Sequence, residues 1–345
     1  MNATSTSELS PAALEAFLAR ACGATTARVV REERLTGGAI QDNRLLVVEL
    51  VGGPYAGRQE FVLRTDAASG VAASWDRAHE FRILRVVHAA GVRVPEPVAF
   101  CDDPAVRGRP FLLMRRVIGE TRGARLVRDP QVRERGEDLV RAVAGEMAKL
   151  HAIRPPQREL AFLPLPEPDP ARARIALYRR WLDAMEAAEP VVEHALRRLE
   201  LAPPARQEVV LVHGDLRVGN LMVAQGQLVA ILDWEFAGWS DPLEDLGWFC
   251  ARYWRFGVDE REAGGLASRR VLVAAYEEAS GRRVDARALA FWEVMANLRW
   301  AVIALMQARR HSSGAERSLE LALTAAVLPR LERDILSGLE AWEDM

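Results

Sequence analysis

Asp215 is followed five residues later by Asn220, and Asp233 closes an apolar run further on, within LVHGDLRVGNLMVAQGQLVAILDWEFAGWSDPLEDLG (211–247). Two carboxylates and an amide in this order match the tasks of metal-assisted phosphoryl transfer. One carboxylate orients an attacking hydroxyl, while the amide and the second carboxylate hold Mg²⁺ against the phosphates. Taken singly, Asp215 and Asp233 read as loop-capping acids and Asn220 as a turn residue. As an ordered set, flanked by His213, Asp241-Pro242 and Asp245-Leu246-Gly247, they favour the chemical reading.

The elements that must position them are short. Val209 to Val212 is a β-branched run expected to form a buried strand that stops at His213-Gly214. Leu221 to Val223 and Leu228 to Leu232 are two more apolar runs, separated by the polar turn AQGQ with Gly226. Asp215 and Asn220 therefore fall on a loop between strands, and Asp233 just past a hairpin.

The order HGD-x-x-x-x-N followed by LDWE is similar to the kinase set HRD-x-x-x-x-N followed by DFG. In this form the chain resembles the aminoglycoside phosphotransferase and choline kinase-like superfamily of small-molecule kinases. The resemblance implies an α+β, bilobal protein kinase-like fold, with a small antiparallel-sheet N-lobe and a larger, mainly helical C-lobe. It implies ATP and Mg²⁺, with Asp215 as catalytic base and Asn220 and Asp233 as metal ligands. Asp245 would brace the catalytic loop from a following helix, and His213 would help hold it. FVLR, LHAI, HGDLRVGNLMV, ILDWEFA, DPLEDLGWFCARYWRFG and NLRWAVIALMQARRHSSGAERS further resemble the branch of kinase-like domains fused to, or encoded beside, acyl-CoA dehydrogenases. That branch implies phosphorylation of a hydroxyl on a small acyl compound such as a hydroxyacyl-CoA. An acyl-CoA dehydrogenase-like protein in the same pathway is the partner it implies.

The nucleotide side departs from the family's usual pattern. The chain has one lysine, Lys149, against 45 arginines. Lys149 lies late in a helical stretch and cannot be the strand lysine that such kinases place on the phosphates. The candidate is Arg64 in QEFVLRTD, which can grip phosphate bidentately, with Glu80 of the following helix as its partner. An exposed arginine and a solvated glutamate are the plain alternative. By position, Gly37 and Gly38 would cover the phosphates with inward N–H groups, although a Gly-Gly pair is also an ordinary hairpin turn. Met114, Arg115 and Arg116, with Val117, would run along the adenine edge and offer backbone groups to the base.

Composition narrows the class. At 345 residues the chain exceeds one simple core. Half its residues are apolar and 27% are charged, so it should fold. A formal charge of −2 argues against a nucleic-acid binder. Three well-separated cysteines suggest reduced thiols in the core. No apolar run approaches a membrane span and the N-terminus lacks a signal-peptide pattern, which leads us to expect a cytoplasmic protein without a membrane partner.

A lobe boundary is expected near Gly119, giving a nucleotide-binding lobe over 1–118, a hinge at about 114–119 and a helical lobe over 119–345. Helices are expected over 11–22, over WDRAHEFRILRVVHAAG (75–91), over 133–152, over 170–200 with a break near Pro190, and near 243–255, 260–280, 285–310 and 315–337. The acceptor side is less distinct. Between residues 251 and 310 there are eleven arginines against seven acids. Arg252, Trp254, Arg255, Arg299 and Trp300 are the candidate substrate residues, and a basic, aromatic surface would suit an anionic or acyl acceptor. Solvated helix faces are the competing explanation for the arginines. Aminoglycoside- or choline-type phosphorylation and a non-catalytic nucleotide-binding module remain alternatives.

Overall fold

A computed structural model describes residues 11–35, 41–66, 74–314 and 316–345. The chain forms two compact units. One comprises the described residues up to Ala89 together with Val94–Val117; the other comprises Ala90–Arg93 with Ile118–Met345.

The first unit is a five-stranded antiparallel sheet with helices packed on it. Helix α1 (Pro11–Ala21) starts on proline, whose missing N–H is unused there, and ends before Gly23. Strands β1 (Thr26–Arg34), β2 (Gln41–Val51) and β3 (Gly57–Asp66) follow, then α2 (Arg77–Ala89), β4 (Pro97–Cys101), the short α3 (Pro104–Arg107) and β5 (Phe111–Arg115). The strand order is β1-β2-β3-β5-β4. Alternation in β2 and β3 turns Leu46, Val48, Phe61 and Leu63 into one core with Leu14, Leu18 and Phe111. Helix α2 buries Ile83, Leu84 and Val87, its apolar stripe at helical spacing.

The second unit is mainly helical. It runs through α4 (Gly123–Leu126), α5 (Pro130–Glu134), α6 (Gly136–Leu150), α7 (Pro170–Ala184) and α8 (Pro190–Leu201). Strands β6 (Val210–Val212), β7 (Leu221–Ala224), β8 (Gln227–Ile231) and β9 (Gly238–Ser240) carry the motif-bearing segment. Then come α9 (Leu243–Cys250), α10 (Arg269–Ser280), α11 (Ala286–Ser312), α12 (Leu319–Thr324) and α13 (Leu328–Glu343). Tyr178, Leu196, Phe291, Trp292, Leu298, Ile335 and Trp342 join α7, α8, α11 and α13 in one core. The four residues 90–93 belong here because Arg93 is held on three sides. Its N–H donates to Glu146, its guanidinium to Leu228 O, and its carbonyl accepts from Ile231 N.

The expected α+β class, with a small antiparallel sheet and a larger helical part, is what the chain forms. Three local expectations need correction, and one strand is unanticipated. The helix expected over 133–152 is two pieces, α5 and α6, meeting at Arg135. The helix expected from about 260 begins only at Arg269, because Gly264 and Gly265 adopt positive φ and close a turn instead. The three-residue strand β9 pairs with β6, which nothing in its composition announces. Finally, α11 is long and apolar enough to cross a membrane by length and composition, but 67% of its apolar window is buried, and its core packing accounts for that composition.

Candidate active site

The loop from His213 to Asn220 leaves β6 through Gly214, whose φ is +75°. A Cβ there would sit 2.3 Å from Phe236 O, so the turn requires glycine. Asp245, fully buried on α9, holds this turn. Its Oδ2 accepts His213 N at 2.8 Å and its Oδ1 accepts Gly214 N at 3.0 Å. The His151 Nε2 lies 3.2 Å from the same carboxylate, and its Nδ1 meets the Tyr276 hydroxyl at 2.9 Å. Burial would push the Asp245 carboxyl up, but the His151 hydrogen bond, the neighbouring imidazoles and the His213 N–H together hold it below the ordinary carboxylate range. Helix α9 can approach this closely because Gly247 lies against the backbone of α11; a Cβ would be 2.6 Å from Trp292 C.

His213 ties the loop to the strand end beyond it. Its Nδ1 accepts Asp215 N at 3.1 Å, and its Nε2–H donates to Leu232 O at 2.9 Å. The Leu232 N–H in turn donates to Asn220 O at 2.8 Å. Leu232 is the residue before Asp233, so one backbone step joins the two acid-bearing loops. Strands β7 and β8 between them form a hairpin whose central residues, Gln225 and Gly226, both have positive φ, the geometry of a two-residue primed turn.

The Asp215 carboxylate is oriented by three donors. Asn220 Nδ2 donates to Oδ2 at 2.8 Å and also to the Asp215 carbonyl. Trp248 Nε1 donates to Oδ1 at 2.9 Å, and Arg217 Nε lies 3.4 Å from Oδ2. Asp215 is 8% exposed and Asn220 is buried. Because the Asn220 amide nitrogen is committed to Asp215, its Oδ1 is the atom left as a ligand. Asp233 is half-buried at φ +70°, a strained conformation for a residue with a side chain. Among the described residues no group of three or more His, Cys, Asp or Glu could hold a metal alone. An amide oxygen and a carboxylate are hard oxygen donors. They fit Mg²⁺, which commonly binds through one or two carboxylates and completes its shell with phosphate and water.

In the first unit, Arg64 sits in β3 opposite Leu112 of β5. Its Nη2 lies 3.3 Å from Glu80 Oε1, with both side chains buried. Glu80 also accepts from Arg77, three residues earlier on α2. Gly37 and Gly38 lie outside the described residues. Met114 is buried in β5, and Arg115 and Arg116 pair with Glu96 and Glu60. The N–H groups of Arg115 and Arg116 already donate to Glu96 O and Glu60 O. The expectation that this backbone reads a base is narrowed accordingly, because those two donors are taken.

The acceptor-side residues divide. Arg252 pairs with Asp259 and Asp334. Arg255 donates to Cys250 O and Asp259 O. Arg299 donates to Gly214 O, lies 3.7 Å from Glu244 and stacks over Trp248 at 4.6 Å. Arg310 pairs with Glu316. Arg252, Arg255, Arg299 and Arg310 are thus each held by partners within the protein. Trp254 and Trp300 pack with Tyr253 in an aromatic cluster that reaches Trp248.

Three site residues lay beyond the sequence reading. Trp248 follows Asp245 by three residues on α9, so helical spacing alone would have put both on the face that meets the loop. Arg217 is two residues from Asp215. His151 stands in LHAI, a landmark in the sequence whose carboxylate partner is far along the chain.

A model of the phosphotransferase enzyme family matches residues 32–282. Acyl-CoA dehydrogenase family member 10 of Mus musculus is 29% identical over 187 residues, 51% of this chain and 16% of that protein. Family member 11 of Gallus gallus is 27% identical over 175 residues, 49% of this chain and 22% of that protein. The alignments thus span less than a quarter of either relative. An aminoglycoside phosphotransferase-like protein from Ralstonia eutropha superposes with a TM-score of 0.75 at 20% identity, covering 95% of this chain and 98% of that one. A choline/ethanolamine kinase family protein from Mesorhizobium loti gives 0.56 at 19%, covering 91% and 93%. These likenesses show the fold to be protein kinase-like.

Proposed function

The chain belongs to the phosphotransferase enzyme family, a phosphotransferase with an alcohol group as acceptor, and on that premise we propose that it phosphorylates a hydroxyl of a small acyl compound, a hydroxyacyl-CoA or its relatives, with Mg·ATP as donor. The observation that carries the phosphoryl-transfer part is the setting of Asp215: a carboxylate fixed by hydrogen bonds from Trp248 and from the amide nitrogen of Asn220.

Each residue then has a task. Asn220 Oδ1 and Asp233 would hold Mg²⁺, which would supply charge neutralisation on the phosphates. Arg64, kept in place by Glu80, grips phosphate oxygens. Asp215 orients the acceptor hydroxyl and takes its proton as the oxygen bonds to the γ-phosphorus. The bond to the β–γ bridging oxygen breaks, and ADP leaves with its electron pair. Positioning and electrostatics provide most of the rate, since the transition state is loose.

The acyl acceptor rests on the resemblance to kinase-like domains associated with acyl-CoA dehydrogenases and on the two curated relatives of that name. An acyl-CoA dehydrogenase-like protein acting in the same pathway is part of this proposal. The test is Mg·ATP turnover over hydroxyacyl-CoA thioesters, free hydroxy acids, choline and kanamycin, with Asp215→Ala as the blank. Turnover of acyl acceptors that vanishes in the variant is expected. Turnover of cationic acceptors alone overturns the acyl reading, and no transfer to any acceptor overturns the kinase reading itself.

A further inference from the structure

Two indole N–H groups in the aromatic cluster that reaches Asp215 through Trp248 are buried without an acceptor. Trp254 packs 5.3 Å from Trp248, whose own N–H is on Asp215, and 5.0 Å from Trp300. Trp254 is 6% exposed. Nε1 of Trp254 and Nε1 of Trp300 are both closed to solvent, and neither has a hydrogen-bond partner among the described residues. Trp292 shares this trait singly, in the helical core. The pair in one cluster, joined to Asp215 through Trp248, is different, because a phenylalanine at either position would keep an aromatic surface without leaving a buried donor unpaired.

An indole nitrogen can only donate. The group that would satisfy this pair must bring an acceptor oxygen. Arg217 stacks over Trp254 at 4.8 Å while its Nε lies 3.4 Å from Asp215, so a guanidinium borders the same place. Arg299 covers Trp248 in the same way. Two ring faces on which a quaternary amine would sit thus already carry arginines. The surrounding side chains, Tyr253, Ala251, Ala296 and Ile303, suit a hydrocarbon chain.

Building on the phosphotransferase reading above, we propose that Trp254 and Trp300 form the acceptor subsite that binds the acyl oxygen of the substrate, a thioester carbonyl or a free carboxylate, and so select hydroxyacyl compounds over amino alcohols and aminosugars. The two tryptophans are specificity residues. Proton transfer stays with Asp215.

The experiment compares acceptors that differ only in that oxygen. Hydroxyacyl-CoA thioesters, with the hydroxyl moved carbon by carbon along the chain, are set against the matching thioethers. Free hydroxy acids are set against alcohols lacking the carboxylate. Choline and kanamycin complete the set. The wild type should favour one oxygen-bearing series by about tenfold in kcat/KM, the size of one hydrogen bond. Which series it is distinguishes thioester from acid. Trp254→Phe and Trp300→Phe should each shrink that preference towards unity while leaving the nucleotide KM unchanged. A simple packing role would instead lower both members of a pair together. Preference undiminished in both variants overturns the subsite, and turnover of choline or kanamycin alone overturns the substrate class with phosphoryl transfer intact. No transfer to any acceptor removes the underlying reading as well.

Discussion

Trp248 donates its indole N–H to Oδ1 of Asp215 across 33 residues of sequence, at 2.9 Å, while Asn220 occupies the other carboxylate oxygen. The acid is thereby held in one rotamer from two directions. Trp248→Phe keeps the ring against Trp254 and removes one charge-assisted bond, worth roughly 1.5–3 kcal/mol. Turnover should fall by about tenfold to a hundredfold, with the nucleotide KM unchanged. A steady-state comparison checks this. A raised nucleotide KM at unchanged kcat would assign Trp248 to binding instead.

Asp215 and Asp233 are both acids, yet their surroundings separate them. Asp215 is tethered to an amide, an indole and a guanidinium, whereas Asp233 sits on a strained backbone just past β8. Asp215→Asn should lower kcat by about 10²–10⁴-fold, the range for losing a positioned base, and leave Mg·ATP affinity intact. Asp233→Ala should weaken Mg·ATP binding directly. Titration calorimetry with Mg·ATP on both variants separates the roles, and identical affinities in the two would refute the division.

The local parts of this arrangement were legible because their causes are local. Gly226 and the polar AQGQ turn announce the β7–β8 hairpin, and the Asp215-to-Asn220 spacing is a property of one loop. The strand–helix pair Arg64 and Glu80 could be matched because their order along the chain restricts the choices. What escaped depends on distant partners. Strand β9 has only three residues and exists because β6 lies beside it. Charge counting between 251 and 310 could not show that Arg252 meets Asp334 from α13, or that Arg299 caps Gly214 O. His151 and Tyr276 meet across 125 residues, so no window of sequence shows that Asp245 has a buried imidazole behind it.

Arg64 pairs with a glutamate that Arg77 also engages. A guanidinium binds phosphate as a planar fork, an ammonium as a point charge. Arg64→Lys keeps the charge but is shorter in reach and loses the fork, so it should raise the nucleotide KM by about tenfold, consistent with one lost charge-assisted bond. Arg64→Ala should have a larger effect. Nucleotide titrations at saturating acceptor test this order. Lysine outperforming the native arginine would mean that Arg64 serves the Glu80 cluster rather than the nucleotide.

Asp241 connects the fold's stability to pH. Its carboxylate accepts Leu243 N at the start of α9 and Glu208 N ahead of β6. Burial pushes its pKa from 3.8 up to about 7 against those two bonds. Between these values the folded protein keeps a proton that the unfolded chain has released. Stability from this group is therefore present at the acid end and declines as pH rises towards 7. Asp241→Asn cannot ionise; its oxygen keeps one of the two N–H bonds while its NH2 faces the other donor, so the variant starts less stable but lacks this pH dependence. Denaturant midpoints of both proteins at about pH 5 and about pH 8 should show the wild type losing ground to the variant on the alkaline side. Parallel behaviour of the two proteins across that window would mean that Asp241 stays ionised in the fold, with its two backbone donors outweighing its burial.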